Sequence, residues 1–319
     1  MKTNPACFNV ATLTRALGAA VSIVTFAVAL TSAHAQSFTY SNFSSAALTA
    51  NPLQINGSAV APVNNGTTDV LRLTPAQSNQ AGSAFSLNTV QLGSNASFST
   101  AFSFQLTNGG GIGDGTLNSP GADGIVFVLN TGSNSVGSSG QGVGYQGISN
   151  SVGIKFDTWQ DGAGFPQDND PNGNFVAMYT NGSTNTASLP YYTPSTSMKN
   201  GDLWYAWIDY NGLTDELDLR LSDGVNSRPS TPQLSETIDL NDSSILGSSP
   251  AVYAGFTSGT GAAWENHDIL SWEFNNTYNP IGAGGNNVPD ATSTLGLFGL
   301  GLSGLAALGR ILQKRPIVS

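Results

Sequence analysis

Charge is what this 319-residue chain has least of: only 9% of its residues are Asp, Glu, Lys or Arg. It also has a single cysteine, Cys7, and two histidines, His34 and His267. One thiol near the N-terminus leaves the rest of the chain without a disulfide, a thiol nucleophile or a cysteine-based metal site, so stability must come from burial. Basic side chains are scarce too. Between residues 36 and 282 they are Arg72, Lys155, Lys199, Arg220 and Arg228, whereas nearly all of the twenty acids lie there. So acidic a surface repels phosphate backbones, which argues against nucleic acid as a partner and favours cations or neutral ligands.

Long apolar runs occur only at the two ends. Lys2 and Arg15 precede the run Ala16 to Leu30, and Ala33-His34-Ala35 is a small-x-small cleavage pattern. Residues 1–35 therefore read as a secretory signal peptide, with a mature start at Gln36 and Cys7 removed. At the other end a Gly/Asn linker leads to Val288-Pro289-Asp290, the apolar run Leu295 to Leu308, and the cations Arg310, Lys314 and Arg315. About 20 residues normally cross a bilayer, so this run is short for a span. It has no polar face with which to pack as an amphipathic helix on a domain. The segment resembles the bacterial PEP-CTERM class of sorting signals in its VPD form. The resemblance implies an exosortase-type sorting enzyme as partner, transient membrane contact through the tail, and placement at the cell surface, in the extracellular matrix or in the medium.

The body reads as β-structure. Ser97 to Leu106, Gly124 to Leu129, Val152 to Asp157, Phe175 to Thr180, Leu203 to Tyr210, Glu216 to Leu221, Val252 to Phe256 and Ile269 to Phe274 are short, β-branched or aromatic segments bounded by Gly, Asn, Asp or Ser. No long 3.6-residue periodicity interrupts them. Many short strands with polar turns predict an all-β, two-sheet sandwich or jelly roll formed as one main domain. Asn211-Gly212 predicts a hairpin connection.

One loop concentrates the acids. Asp157, Asp161, Asp168 and Asp170 fall within fourteen positions, between two alternating segments. Such residues serve as an ordinary hairpin connection, because Asp, Asn, Gly and Pro satisfy turn geometry. They also suit a hard cation such as calcium, which takes six to eight oxygen ligands.

Several separated pieces fall in a recognisable order: Ala122-Asp123-Gly124, Gly144-Tyr145-Gln146-Gly147, Phe156-Asp157-Thr158-Trp159, Asp170-Pro171, Gly255 to Gly261, and Ser271-Trp272-Glu273-Phe274. Together they resemble the legume-type (L-type) lectins, over roughly residues 36–280. The resemblance implies a concanavalin-like jelly roll that binds sugar at loops on one end and catalyses nothing. It implies a cis peptide before Asp123, whose carboxylate accepts hydrogen bonds from the sugar, and a backbone N–H donated by Gly144. Trp159 would stack on a pyranose and offer its carbonyl to calcium. Asp161 stands where the family usually has asparagine, contacting both metal and sugar. Calcium would be held by Asp157, Trp159, Asp161 and Asp170, with Asp168 and Asn169 as rival ligands, and Gly261, Ala262, Ala263 and Trp264 would form the variable loop at the sugar. The family's manganese site draws on a glutamate and a histidine, and here those positions are Lys155 and Phe175, which cannot ligate a cation. One calcium and no manganese is the expectation, with Lys155 paired to Asp157 or another loop carboxylate. Residues 281–293 would be a linker with the VPD motif, and 294–319 a hydrophobic helix with a basic tail.

The expected function is reversible, calcium-dependent recognition of a glycan or exopolysaccharide, and the resemblance leaves room for a homodimer. Two other readings stay open. One is a matrix or adhesion protein that keeps the fold without the sugar site. The other is a glycoside hydrolase of a related jelly roll, using Glu216 and Asp218 on one strand face, although retaining chemistry needs carboxyls about 5–5.5 Å apart and these follow an Asn-Gly turn where charges face solvent. Trp204, Trp207 and Trp272 are expected in packing, Trp159 and Trp264 in loops, and His267 in a structural hydrogen bond at a strand start.

Overall fold

The structure, a computed structural model, describes residues 37–114, 120–161, 168–247, 249 and 251–282. The segments expected to be a signal peptide and a sorting tail, with the helices expected in them, lie outside the described residues. The chain divides into two compact units, Met1–His34 and Ala35–Ser319, and the first is wholly outside them.

The strands of the first half are β1 (Phe38–Tyr40), β2 (Leu53–Gly57), β3 (Val60–Asn64), β4 (Asp69–Thr74), β5 (Ala81–Ser86), β6 (Val90–Gln91), β7 (Phe98–Gly111) and β8 (Gly124–Asn130). Those of the second are β9 (Ser151–Asp157), β10 (Phe175–Thr180), β11 (Tyr191–Tyr192), β12 (Leu203–Asn211), β13 (Glu216–Asp223), β14 (Leu234–Thr237), β15 (Ala251–Gly259) and β16 (Ala263–Asn275). They form two antiparallel sheets. One runs β14-β13-β12-β7-β16-β4-β3 with β1 beside β16, and the other runs β11-β10-β9-β8-β15-β5-β2 with β6 beside β15. The fold is the expected all-β two-sheet jelly roll.

Alternation along each strand explains why the sheets pack. In β7 the even positions Phe98, Phe102, Phe104 and Leu106 point into the core, while Ala101 and Gln105 are only half-buried. Opposite them, Phe127, Phe156 and Phe256 supply the facing layer, with Phe102 edge-on to Phe256 at 4.9 Å and to Phe156 at 5.6 Å. Residues of successive parity point to opposite faces, yet β16 contributes both Ile269 and Trp272 to this core. A register shift between Ile269 and Ser271 resolves the conflict, since one extra residue re-aims the side chains that follow. Trp272 then sits among Phe38, Tyr40 and Phe256 and donates its indole N–H to Thr100 Oγ1 at 3.0 Å.

The second sheet is covered on its outer side as well. Val126 and Val128 of β8 and Phe175, Ala177 and Tyr179 of β10 pack with Phe85 under Val143, Tyr145 and Ile148. Residues 131–149 are thus held as a lid of loop over this sheet, bringing Gly140 to Gln146 to its end. Asn211 ends β12 and Gly212 opens the β12–β13 connection, as their turn chemistry predicts.

Two expectations change. β16 begins at Ala263, so Trp264 is in a strand and His267 lies mid-strand. The Trp264 ring covers the glycines at the end of β7, where an added Cβ on Gly110 would stand 2.6 Å from its Nε1. Trp207 is buried in packing, as expected, on the outer face of its sheet beside Tyr205, with ring centroids 6.3 Å apart. Trp272→Ala removes the largest fully buried side chain of the core and is expected to cost about 3–5 kcal/mol, read as a lower urea midpoint with an unchanged slope.

Candidate functional site

A cleft of about 400 Å³ opens where β8, β9 and the β15–β16 turn end together, lined by Asp123, Trp159, Asp161, Gly261 and Ala262 with Ile112, Ser139, Gly140, Gln141, Gln146 and Ala263. Five of the six residues expected at a sugar are therefore neighbours.

Asp123 is placed by its backbone. The Ala122–Asp123 peptide is cis. The Asp123 N–H donates to the Gly259 carbonyl at 3.0 Å, and the Thr158 N–H donates to the Asp123 carbonyl at 3.1 Å. The next peptide is held by His267: the Gly124 N–H donates to its Nε2 at 3.2 Å. That assigns the proton to Nδ1, which meets Thr74 Oγ1 at 2.6 Å; Thr74 contacts Ser258 Oγ, which reaches the Gly124 carbonyl at 2.9 Å. With its backbone fixed, the Asp123 carboxyl has one oxygen, Oδ2, that is buried and accepts no hydrogen bond. Burial, and then the nearby Asp161 carboxylate, raise this carboxyl well above the usual aspartate range. A buried acceptor without a donor is costly, so a ligand hydroxyl aimed at it gains more than it would in water.

Gly144 is displaced from its expected role. Its N–H donates to the Ser138 carbonyl at 2.7 Å, leaving none to offer a ligand, and it does not line the cleft. The residue is glycine because φ is +67° and an added Cβ would stand 2.7 Å from the Ser258 carbonyl oxygen. It packs the 131–149 loop onto β15, and Ser139, Gly140 and Gln141 of that loop reach the cleft instead. Sequence reasoning missed them, although the Gly/Ser-rich run from Gly132 to Gly147 was a signal for a loop in close backbone contact.

The acids beside the cleft are organised by Lys155. Its side chain, on β9, is fully buried; Nζ lies 2.7 Å from Asp157 Oδ2 and 3.3 Å from Asp170 Oδ1, with the rings of Phe175 and Tyr179 at 5.2 and 5.1 Å. Burial opposes its charge, but Asp157, Tyr179 and Asp170 outweigh that and keep the ammonium well above the usual lysine range. Lysine and phenylalanine thus occupy the two positions that departed from the family pattern, and the ammonium stands between two of the expected calcium ligands.

The expected calcium ligands are adjacent but do not form a cage. Among the described residues no three His, Cys, Asp or Glu side chains are arranged to hold a metal ion. Asp157 and Asp170 each turn one oxygen to Lys155. Their other oxygens accept backbone N–H groups, Asp157 Oδ1 from Trp159 at 2.8 Å and Asp170 Oδ2 from Asp161 at 3.1 Å. Asp168 instead accepts the Thr184 hydroxyl, and Asn169 donates to Asn185 at 3.0 Å. The donor chemistry still fits a hard cation. Carboxylate oxygens keep lone pairs after accepting one N–H, and the acids outnumber their one cation. Burial, then the charges of Asp170 and Asp168, push Asp161 up to about 7.

Residues 35–287 match the legume lectin domain. The chain belongs to that family. This lectin domain is 29% identical over 235 residues to the L-type lectin-domain containing receptor kinase VIII.1 of Arabidopsis thaliana, covering 71% of this chain and 29% of the relative. It is 30% identical over 249 residues to the probable inactive L-type lectin-domain containing receptor kinase III.1 of the same plant, covering 72% and 36%. The chain thus spans about a third of the length of these relatives. Among solved structures it resembles lectin I-B4 of Griffonia simplicifolia in its metal-free form, with a TM-score of 0.58 and 25% identity over 75% of this chain and 98% of that one. The lectin of Bauhinia forficata in complex with GalNAc has the same fold, with a TM-score of 0.58 and 22% identity over 76% and 97%.

Other candidates lie elsewhere. Glu216 and Asp218 of the hydrolase reading are on β13, in the opposite sheet from Asp123; Glu216 is exposed, and Asp218 is engaged by Arg220 at 3.1 Å and by Ser235. Trp264 does not line the cleft. Lys155→Met would leave two buried carboxylates without their cation, and an expected loss of about 3–5 kcal/mol, read by urea unfolding, is partly recovered when Asp170→Asn is added.

Proposed function

We propose that this lectin domain binds glycans reversibly in the cleft at Asp123, breaks no bond in doing so, and depends on calcium. The observation that carries the reading is the buried, donorless Oδ2 of Asp123, in a cleft walled by Trp159 and floored by small residues. Asp123 accepts sugar hydroxyls, and Asp161 is a second acceptor. Trp159 offers a ring against the C–H face of a pyranose, and Gly261 and Ala262 leave room at the mouth. Polar groups fixed before binding lower its ordering cost. Asp157, Asp161 and Asp170, with the Trp159 carbonyl, would hold calcium. When bound, calcium supplies the positive charge that these acids lack and orders their loop. Lys155 keeps Asp157 and Asp170 in place on its own side.

The N-terminal signal pattern and the VPD tail support an exported protein, sorted to the cell surface or matrix by an exosortase-type enzyme. Boundaries at 35/36, 280/281 and 293/294 go with that reading. Intact mass of the secreted form is expected to place its first residue at Gln36 and to show loss of the tail; retention of residues 1–35 overturns the export reading.

On a glycan array the folded protein is expected to bind a restricted set of oligosaccharides in calcium and to lose them in EDTA. Asp123→Ala weakens the strongest of these by at least about tenfold, the loss of one charge-assisted hydrogen bond of ~1.5–3 kcal/mol. Binding that resists EDTA removes calcium from the proposal. No binding by a folded, calcium-loaded protein leaves a matrix protein with a degenerate site, the reading that the engaged N–H of Gly144 favours.

A further inference from the structure

Lys199 lies in the connection between β11 and β12, far in sequence from every residue expected at the sugar. Its side chain is 1% exposed, and among the described residues its ammonium meets the Gly121 carbonyl at 3.2 Å, the Thr158 carbonyl at 3.0 Å and Asp114 Oδ2 at 3.2 Å. The same nitrogen sits over the Trp159 ring, 5.7 Å from its centroid. An ammonium has three N–H donors and no acceptor, so oxygens on separate segments restrain its orientation. At that distance the cation also attracts the face of the indole ring.

The segments it joins carry the cleft. Gly121 is two residues before Asp123, and Thr158 is directly before Trp159. Consecutive Cα atoms are about 3.8 Å apart, so a shift at either carbonyl reaches the ligand-facing side chain with little slack. The two segments are also tied directly, by the Thr158 N–H to the Asp123 carbonyl. Glu265 reinforces that tie from below, accepting the Thr158 hydroxyl at 2.9 Å. Lys199 therefore does for the uncharged carbonyls of the cleft what Lys155 does for its acids.

We propose that Lys199 is a positioning residue for the ligand cleft, its ammonium clamping the Gly121 and Thr158 carbonyls and the Trp159 ring so that Asp123 and Trp159 face one ligand. The proposal rests on the sugar-binding reading for its consequence, though not for the contact itself.

The test uses the protein labelled with 5-fluorotryptophan, whose five tryptophans give separate 19F resonances, that of Trp159 assigned by Trp159→Phe. Lys199→Met removes charge and donors; Lys199→Gln keeps two N–H donors without charge. In sugar-free protein both variants are expected to move the Trp159 resonance and leave those of Trp204 and Trp272 in place, which general loosening of the fold would not do. Affinity is measured with methyl α-D-galactoside, methyl α-D-mannoside and the strongest array glycan as probes. It is expected to fall about tenfold in Lys199→Met and by less in Lys199→Gln. A folded variant with wild-type affinity, or one whose Trp159 resonance does not move, overturns the proposal. If Lys199→Met does not fold, Lys199→Gln supports or overturns it by the same two readouts. A wild type that binds none of the probes refutes the sugar reading alone, and the Trp159 resonance still decides whether Lys199 positions the ring.

Discussion

The ion pair of Lys155 with Asp157 and Asp170, closed off from water between the second sheet and its loops, is the constraint on which the site depends. A lone buried ammonium or carboxylate is penalised by several kcal/mol, so these three groups must meet or none can be buried. Lys155 and Asp157 are neighbours on β9, on the same face because they are two residues apart. Asp170 comes from the far side of the acidic loop, and its approach brings the described ends of that loop together beside the strand. Once Asp170 is there, its second oxygen takes the Asp161 N–H, and Asp157 takes the N–H of Trp159. The local course of the chain from Asp157 to Asp161 follows from where one lysine holds two acids.

From that point order passes outward through neutral groups. Thr158 donates to Asp123, Lys199 gathers the carbonyls of Gly121 and Thr158, and His267 holds the Gly124 N–H. Each tie joins segments that are distant in sequence: Thr158 meets Asp123 because β8 and β9 are neighbours in one sheet, whereas Lys199 reaches in from the β11–β12 connection and His267 from β16 of the other sheet. The sandwich supplies a rigid frame and the loops at its end supply chemistry, the usual division between packed strands and the connections that carry function. Surplus acid remains after Lys155 is counted, and it sits beside the cleft, so in the function proposed above Asp161 would couple recognition to the cation.

Much of the strand plan was legible because period-2 alternation is a local property: Phe98, Phe102 and Phe104 announce their facing from spacing alone. Bulges are not local in that way. The register shift in β16 lets Ile269 and Trp272 face the same core, and no pattern of residue types around them marks it. The length of β16 was hidden for a related reason. Trp264 to His267 is polar and aromatic, like a loop, yet its pairing with β7 and β4 makes it a strand and puts His267 in the interior.

Short-range pattern and motif order were enough to specify the β architecture, the acid-rich loop between two strands, and Asp123, Trp159, Asp161, Gly261 and Ala262 as companions. What each group's atoms do was left to the folded chain. It spends the Gly144 N–H on Ser138, pairs Lys155 with two acids rather than one, and brings Lys199 beneath Trp159. Hydrogen bonds and ion pairs are settled by distances of about 3 Å between groups that the sequence sets far apart, as with Lys199 and Gly121, and no one-dimensional pattern encodes a distance of that kind.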